Sequence, residues 1–131
     1  MVIIVKNFIE KVKNDPYAKF LGISIDIVET GFSRCSLLLT ENMMNFLGTP
    51  HGGLLYSLAD VALSIAANCN HPPTFALDIM GTYFKPAKPG DILVACAKEI
   101  NTTKKTGHYR MEIMLENDLI AVFNATVFRK A

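Results

Sequence analysis

The chain has 131 residues, enough for one domain with a real core and little room for a second. Half of its residues are hydrophobic and the formal net charge is only +1, which argues against disorder and against a surface built for nucleic acid. The three cysteines, Cys35, Cys69 and Cys96, are odd in number and lack short paired spacing. A disulfide framework or a four-cysteine zinc site is therefore disfavoured, and a reducing compartment is expected.

The start, M-V-I-I-V-K, lacks the basic start, longer apolar stretch and small-residue cleavage site of a signal peptide. From Lys6 to Lys13, Phe8, Ile9 and Val12 recur among Lys and Glu at helical spacing, which predicts a modest amphipathic helix. Asn14-Asp15-Pro16 breaks it and opens a second short turn through Phe20, with Asp15 as the cap before Pro16. After Gly22, Ile23, Ile25 and Ile27 alternate with Ser24 and Asp26 in a half-buried strand. Thr30-Gly31 reads as a hairpin turn, and Phe32 to Thr40 as the returning strand.

A turn-like stretch follows, with Gly48, Pro50, Gly52 and Gly53 close together, and then Leu54 to Ala67, apolar on nearly every side with one charge, Asp60. A helix apolar all round must be buried. At 14 residues it falls short of the ~20 needed to span a bilayer, so no membrane association is expected and the chain reads as soluble and cytoplasmic. Pro72 and Pro73 end the helix. The remainder is strand and turn: Thr74 to Phe84, Asp91 to Ile100, His108 to Leu115 and Leu119 to Arg129. Short connections imply antiparallel pairing. The expectation is an α+β fold, a single domain over 1–131 in which an antiparallel sheet wraps one long central helix.

An ionised carboxylate on a buried helix is costly unless paired, solvated or used. Ser57, Asp60 and Ser64 fall at i, i+3 and i+7 and so form one narrow polar stripe. The stripe suits either a satisfied buried carboxylate or a base or nucleophile. His51-Gly52-Gly53 opens the helix, where unpaired N–H groups and partial positive charge can hold an oxyanion, or where glycines merely shape a turn. His51 alone more often bonds backbone than does chemistry. Asn45 either orients a carbonyl or water or shapes the turn.

Gly52 and Asp60 are eight residues apart, about 12 Å at helical rise. A carbonyl under attack lies within ~3 Å of both its oxyanion donor and its nucleophile or bound water. One helix cannot place both groups on one carbonyl, whereas two copies packed antiparallel can. If the two groups share a reaction, the active unit is at least a symmetric dimer.

N-x-x-G-T-x-H-G-G followed by L-A-D resembles the acyl-CoA thioesterases of the hotdog fold, nearest to the phenylacetate-pathway type and its animal relatives. The resemblance extends to A-K-F-L-G-I, E-T-G-F, T-Y-F-K-P-A-K-P-G-D, K-K-T-G-H-Y and A-V-F-N-A-T, nearly the whole chain. It implies a sheet wrapped round one helix, paired into dimers and often tetramers, so a dimer of dimers is expected. It implies Asp60 as general base or nucleophile, Gly52 as oxyanion donor, Asn45 as the polar group near the thioester or water, and His51 as support for the turn. Gly53, Ser57 and Ser64 would border the substrate. Lys85, Lys88, Lys104 and Lys105 flank turns that in the family meet coenzyme A phosphates, Pro86 is a further substrate-binding residue, and Thr106-Gly107 would add backbone contacts to the pantetheine arm. A serine or threonine that some relatives carry at the start of the next strand is missing from Phe75-Ala76-Leu77, unless Thr74 or Ser64 substitutes.

The implied reaction is hydrolysis of an acyl-CoA to free acid and coenzyme A, with no cofactor, coenzyme A being part of the substrate. An acyl-CoA-binding module without hydrolysis is the alternative. Hydration or dehydration of a hydroxyacyl thioester pairs a histidine with an acid in a motif not seen here. His51, His71 and His108 lack metal-ligand spacing. An acyl pocket is expected among Met43, Phe46, Leu47, Tyr56, Leu63 and Ile79, suiting aromatic or medium aliphatic groups equally.

Overall fold

The computed structural model describes residues 2–130 and the side chains of 6–130; the apolar start, expected not to be a leader, has its side chains outside that range. The elements are α1 (Val2–Lys13), α2 (Pro16–Leu21), β1 (Ser24–Glu29), β2 (Phe32–Leu38), a 3-10 turn (Glu41–Met43), α3 (Gly52–Asn68), β3 (Thr74–Tyr83), β4 (Ile92–Thr102), β5 (Thr106–Leu115) and β6 (Asp118–Arg129). The helix thus starts two residues before the expected Leu54. Asp15 caps α2 as expected, accepting from the Ala18 N–H at 2.9 Å ahead of Pro16.

The six strands form one sheet in the order β1-β2-β4-β5-β6-β3, every neighbouring pair antiparallel. Alternate residues of the central strands turn to one face. There Leu93, Ala95 and Ala97 of β4, Tyr109, Met111 and Ile113 of β5, and Phe123 of β6 are buried with Leu58, Ala59, Ala62 and Ala66 of α3. Alanines on both sides let helix and sheet approach closely. The helix is further tied to the first hairpin, since Ser33 Oγ donates to the Ala62 carbonyl and the Gly31 N–H to that of Ala66. Each fully buried leucine, such as Leu58, contributes about 1.5–3 kcal/mol over its exposed state.

Two exposed surfaces decide where chemistry can occur. The central helix is not covered all round: Gly53, Tyr56, Asp60 and Ser64 are exposed, although Leu54, Leu55, Ala59, Val61, Leu63 and Ile65 beside them are buried. The sheet has only one concave face and cannot close over the far side of α3. Strand β3, at the sheet edge, is exposed along almost its whole length, including Phe75, Leu77, Met80 and Tyr83. The edge strand is an unpaired ladder beside an uncovered helical stripe. No helix among the described residues is long and apolar enough to cross a membrane.

Candidate active site

The amino end of α3 is organised by His51. Its Nδ1 accepts the Gly53 N–H at 3.1 Å, and its own backbone N–H donates to the Met43 carbonyl at 2.9 Å. An accepting Nδ1 places the ring proton of the neutral imidazole on Nε2. The N–H groups of Leu54 and Leu55 both point to the His51 carbonyl, at 2.9 and 3.3 Å. Of the five consecutive N–H groups from His51 to Leu55, only that of Gly52 has no acceptor among the described residues. Helix starts always leave such donors; here the surrounding bonds leave one, and they select Gly52.

Gly52 opens into a cleft of about 310 Å³ lined by Thr49, Pro50, Leu55, Tyr83, Phe84, Lys85 and Pro86. Two further residues singled out from sequence, Lys85 and Pro86, are therefore brought beside Gly52. Lys85 Nζ pairs with Asp118 at 3.1 Å, an exposed and screened contact. Lys88 stays exposed in the same connection, its N–H bonded to Asp91 Oδ2. Asn45 shapes the preceding loop: its Oδ1 accepts from the Leu47 and Thr49 N–H groups and from Thr49 Oγ1. Its Nδ2 has no acceptor among the described residues.

Asp60 lies two turns further along, on the open stripe. One side of the stripe is bounded by α1 and α2, where Tyr17 Oη meets Ser57 Oγ at 2.8 Å and a cleft of about 500 Å³ runs between Phe8, Val12, Asp15 and Pro16 and the helical residues Val61, Ser64 and Ile65. The other side is bounded by Tyr56 and Tyr83, which both pack edge-on against Phe123. The Asp60 carboxyl is raised above the ordinary carboxylate range, first by burial against its apolar neighbours and then by the negative charge of Asp15. The side chain is nonetheless open to solvent in the single chain, so the stripe is only partly dry.

The remaining expected residues stand apart. Ser57 and Ser64 donate their hydroxyls to the helix's own carbonyls of Gly53 and Val61, so they border the stripe with acceptor capacity only. Thr74 Oγ1 donates to the Pro72 carbonyl, and its backbone is clasped by Asn68 at the far end of α3, which rules it out as a stand-in beside Asp60 of the same chain. Lys104, Thr106 and Gly107 also lie at that far end. The Thr106 N–H is taken by Thr103 Oγ1, its carbonyl by Arg129, and Gly107 is buried in the ladder. Of the expected acyl-pocket residues, Leu63 is corrected: it is 2% exposed and belongs to the core. The cleft residues Phe8 and Val12 of α1 and the cap Asp15 of α2 were missed as part of the site because nothing in their spacing shows that these helices fold back beside Val61 and Ser64. Tyr83 was missed as well. Its hydroxyl donates to the Gly52 carbonyl at 3.0 Å, a contact between residues 31 positions apart.

Residues 47–122, which contain the glycine turn, the helix, β3 to β5 and the start of β6, match the thioesterase superfamily. The chain belongs to that family. This thioesterase is 34% identical over 118 residues to the acyl-coenzyme A thioesterase PaaI of Escherichia coli strain K12, covering 89% of this chain and 84% of that one. The structure of the E. coli PaaI protein from the phenylacetic acid degradation operon superposes with a TM-score of 0.91 at 32% identity, over 96% of this chain and 92% of that one. The TT0310 protein of Thermus thermophilus superposes with a TM-score of 0.86 at 36% identity, covering 88% of this chain and 98% of that one. The thioesterase has the hotdog fold, with the sheet curled about α3.

Proposed function

We propose that this thioesterase hydrolyses acyl-CoA thioesters at paired sites of a homodimer, each site joining Gly52 of one protomer to Asp60 of the other. One observation carries the reading. The one N–H left unclaimed at the helix start among the described residues opens into the cleft beside Tyr83, and the one carboxylate of the helix stands on its exposed stripe, eight residues further on. That span is about 12 Å, too far for one carbonyl. Antiparallel packing of two α3 helices closes the gap twice over. The exposed edge of β3, ten residues long and with Phe75, Leu77, Met80 and Tyr83 exposed, is a template for pairing with a second copy. Exposed Leu38, Ile92 and Ile100 offer a further surface on which two dimers would associate.

The thioester carbonyl oxygen would sit on the Gly52 N–H. Asp60 either takes a proton from a water that adds to the carbonyl carbon, the C–S bond breaking and that proton returning to the departing sulfur, or attacks the carbonyl carbon itself, expelling coenzyme A as thiolate and leaving an acyl-Asp60 anhydride that water hydrolyses to the free acid. Asn45 Nδ2 is the second donor near the reacting group. The acyl group, aromatic or medium-chain, would lie in the cleft beside Asp60 between Val12 and Val61. Lys85, Lys88 and Lys104 would meet the phosphates. The antiparallel pairing brings the carboxyl end of the partner's helix, with its Lys104 turn, to the amino end of this one, where Lys85 stands. Three unpaired thiols fit a reducing compartment, and the cytoplasm is the location we propose.

The test is release of coenzyme A from acetyl-, octanoyl- and phenylacetyl-CoA by the purified protein and by Asp60→Asn. The variant is expected to keep its fold and its affinity for a non-hydrolysable thioether analogue while losing at least about a hundredfold in turnover. Near-normal turnover in Asp60→Asn would overturn the assignment. Tight binding of all three substrates with no hydrolysis by the unaltered protein would mark a binding module instead.

A further inference from the structure

We propose that Tyr83 is a positioning residue for the oxyanion hole: its hydroxyl fixes the Gly52–Gly53 peptide, the plane that follows the one carrying the Gly52 N–H, and so limits how the donor's plane can swing about the Gly52 Cα. The inference rests on the reading of Gly52 as oxyanion donor. Two consecutive glycines have the greatest backbone freedom of any pair, and at a helix start no preceding turn restrains them. An oxyanion donor is useful only if its direction is set before the charge develops. The donor's own peptide is held at its carbonyl end, where His51 O accepts from Leu54 and Leu55; the peptide that follows needs holders of its own.

The structure shows restraint from both sides. Beyond Gly52, the Gly53 N–H is held by His51 Nδ1 at 3.1 Å. On the carbonyl of the same peptide, Tyr83 Oη donates to Gly52 O at 3.0 Å. The peptide plane between Gly52 and Gly53 is thus gripped at its oxygen and at its hydrogen by two side chains, and a carbonyl with two lone pairs can accept this bond alongside its helical one. The Tyr83 ring also lies against Gly52, 3.5 Å from where a Cβ would be. The ring has its own support: it packs edge-on against buried Phe123, with centroids 5.6 Å apart and planes at 88°. Tyr83 stands on β3 and Gly52 on α3, so the bond joins the edge strand to the helix start at the cleft where the thioester is placed. The hydroxyl does not touch the reacting atoms in this arrangement; it acts through the peptide.

Tyr83→Phe deletes the hydroxyl and keeps the ring. The measurements are kcat, KM, the melting temperature and the affinities for two coenzyme A analogues: a thioether, which resembles the ground state, and a trifluoromethyl ketone, which adds water or a nucleophile to present an oxyanion. The expected result is about a tenfold fall in kcat, the scale of one lost hydrogen bond. The ketone's affinity should fall by a similar factor, while KM, thioether affinity and melting temperature stay close to the unaltered protein. Unchanged kcat and ketone affinity in Tyr83→Phe overturn the inference. So does a melting temperature lowered as far as in Tyr83→Leu, which would make the hydroxyl merely structural. If the unaltered protein itself hydrolyses acyl-CoA yet binds the ketone no tighter than the thioether, the oxyanion reading of Gly52 fails and the role of Tyr83 fails with it.

Discussion

The ring of Phe123 fills the space that a side chain on Gly81 would occupy, the two residues facing each other across β3 and β6. Phe123 is fully buried, and Tyr56 and Tyr83 pack on it edge-on, so this one glycine lets the aromatic wall beside the stripe exist. Gly81→Ala forces the ring or the strand to shift, an overpacking cost of about 1–3 kcal/mol. Urea unfolding should show a lower midpoint with an unchanged slope. A midpoint equal to that of the unaltered protein would contradict the close approach.

The cysteines are expected to differ sharply in reactivity. Burial pushes the Cys35 thiol up to about 12, with Asp26 and Cys96 adding to the effect, and Cys69 is buried as well. Cys96 is only partly covered; burial raises it, and Arg34 works in the opposite direction. The thiolate is the reactive species. At pH 8 a disulfide reagent such as DTNB should modify Cys96 slowly in the folded protein and all three thiols at once in urea. Rapid labelling of two or more thiols without denaturant would show that the core opens more readily than this packing allows.

Much of this arrangement was legible in the residues. The order of two strands, one long helix and four strands, and their antiparallel pairing, was read from the residues alone. The covering of α3 was misjudged because its apolar count is dominated by Leu, Ala and Ile on the core side, while the open stripe needs only Gly53, Tyr56, Asp60 and Ser64. Local pattern cannot show that a sheet has one concave face. Tyr83 and the α1–α2 wall escaped for a related reason: their contacts join residues tens of positions apart, and no periodicity records them.

Asn45 separates two roles that one substitution can divide. Its Oδ1 holds the loop through three donors, whereas its Nδ2 is unclaimed among the described residues. Asn45→Asp keeps an acceptor in place and loses the amide donor, so the melting temperature should hold while turnover falls at least about tenfold. Asn45→Ala removes both and should lower stability as well. Full turnover in Asn45→Asp would reduce Asn45 to a turn residue.

The raised titration of Asp60 makes opposite demands on stability and on rate. Burial disfavours its charge, and the carboxylate of Asp15 repels it further. The folded chain therefore keeps this proton at pH values where the unfolded chain, titrating at about 3.9, has lost it. Between the two values the folded state binds more protons, so stability declines as pH rises through that window and stays lower above it. Asp60→Asn should accordingly melt higher than the unaltered protein at pH 8, by a small margin because the carboxylate is open to solvent, and the margin should vanish below pH of about 3.5. Catalysis runs the other way, since only the ionised carboxylate can act as base or nucleophile. The acid limb of kcat/KM should lie above the ordinary carboxylate range, and Asp15→Asn, which retains a capping side chain for α2, should move it to lower pH. A limb that does not respond to Asp15→Asn would show that the Asp15 charge is fully screened from Asp60.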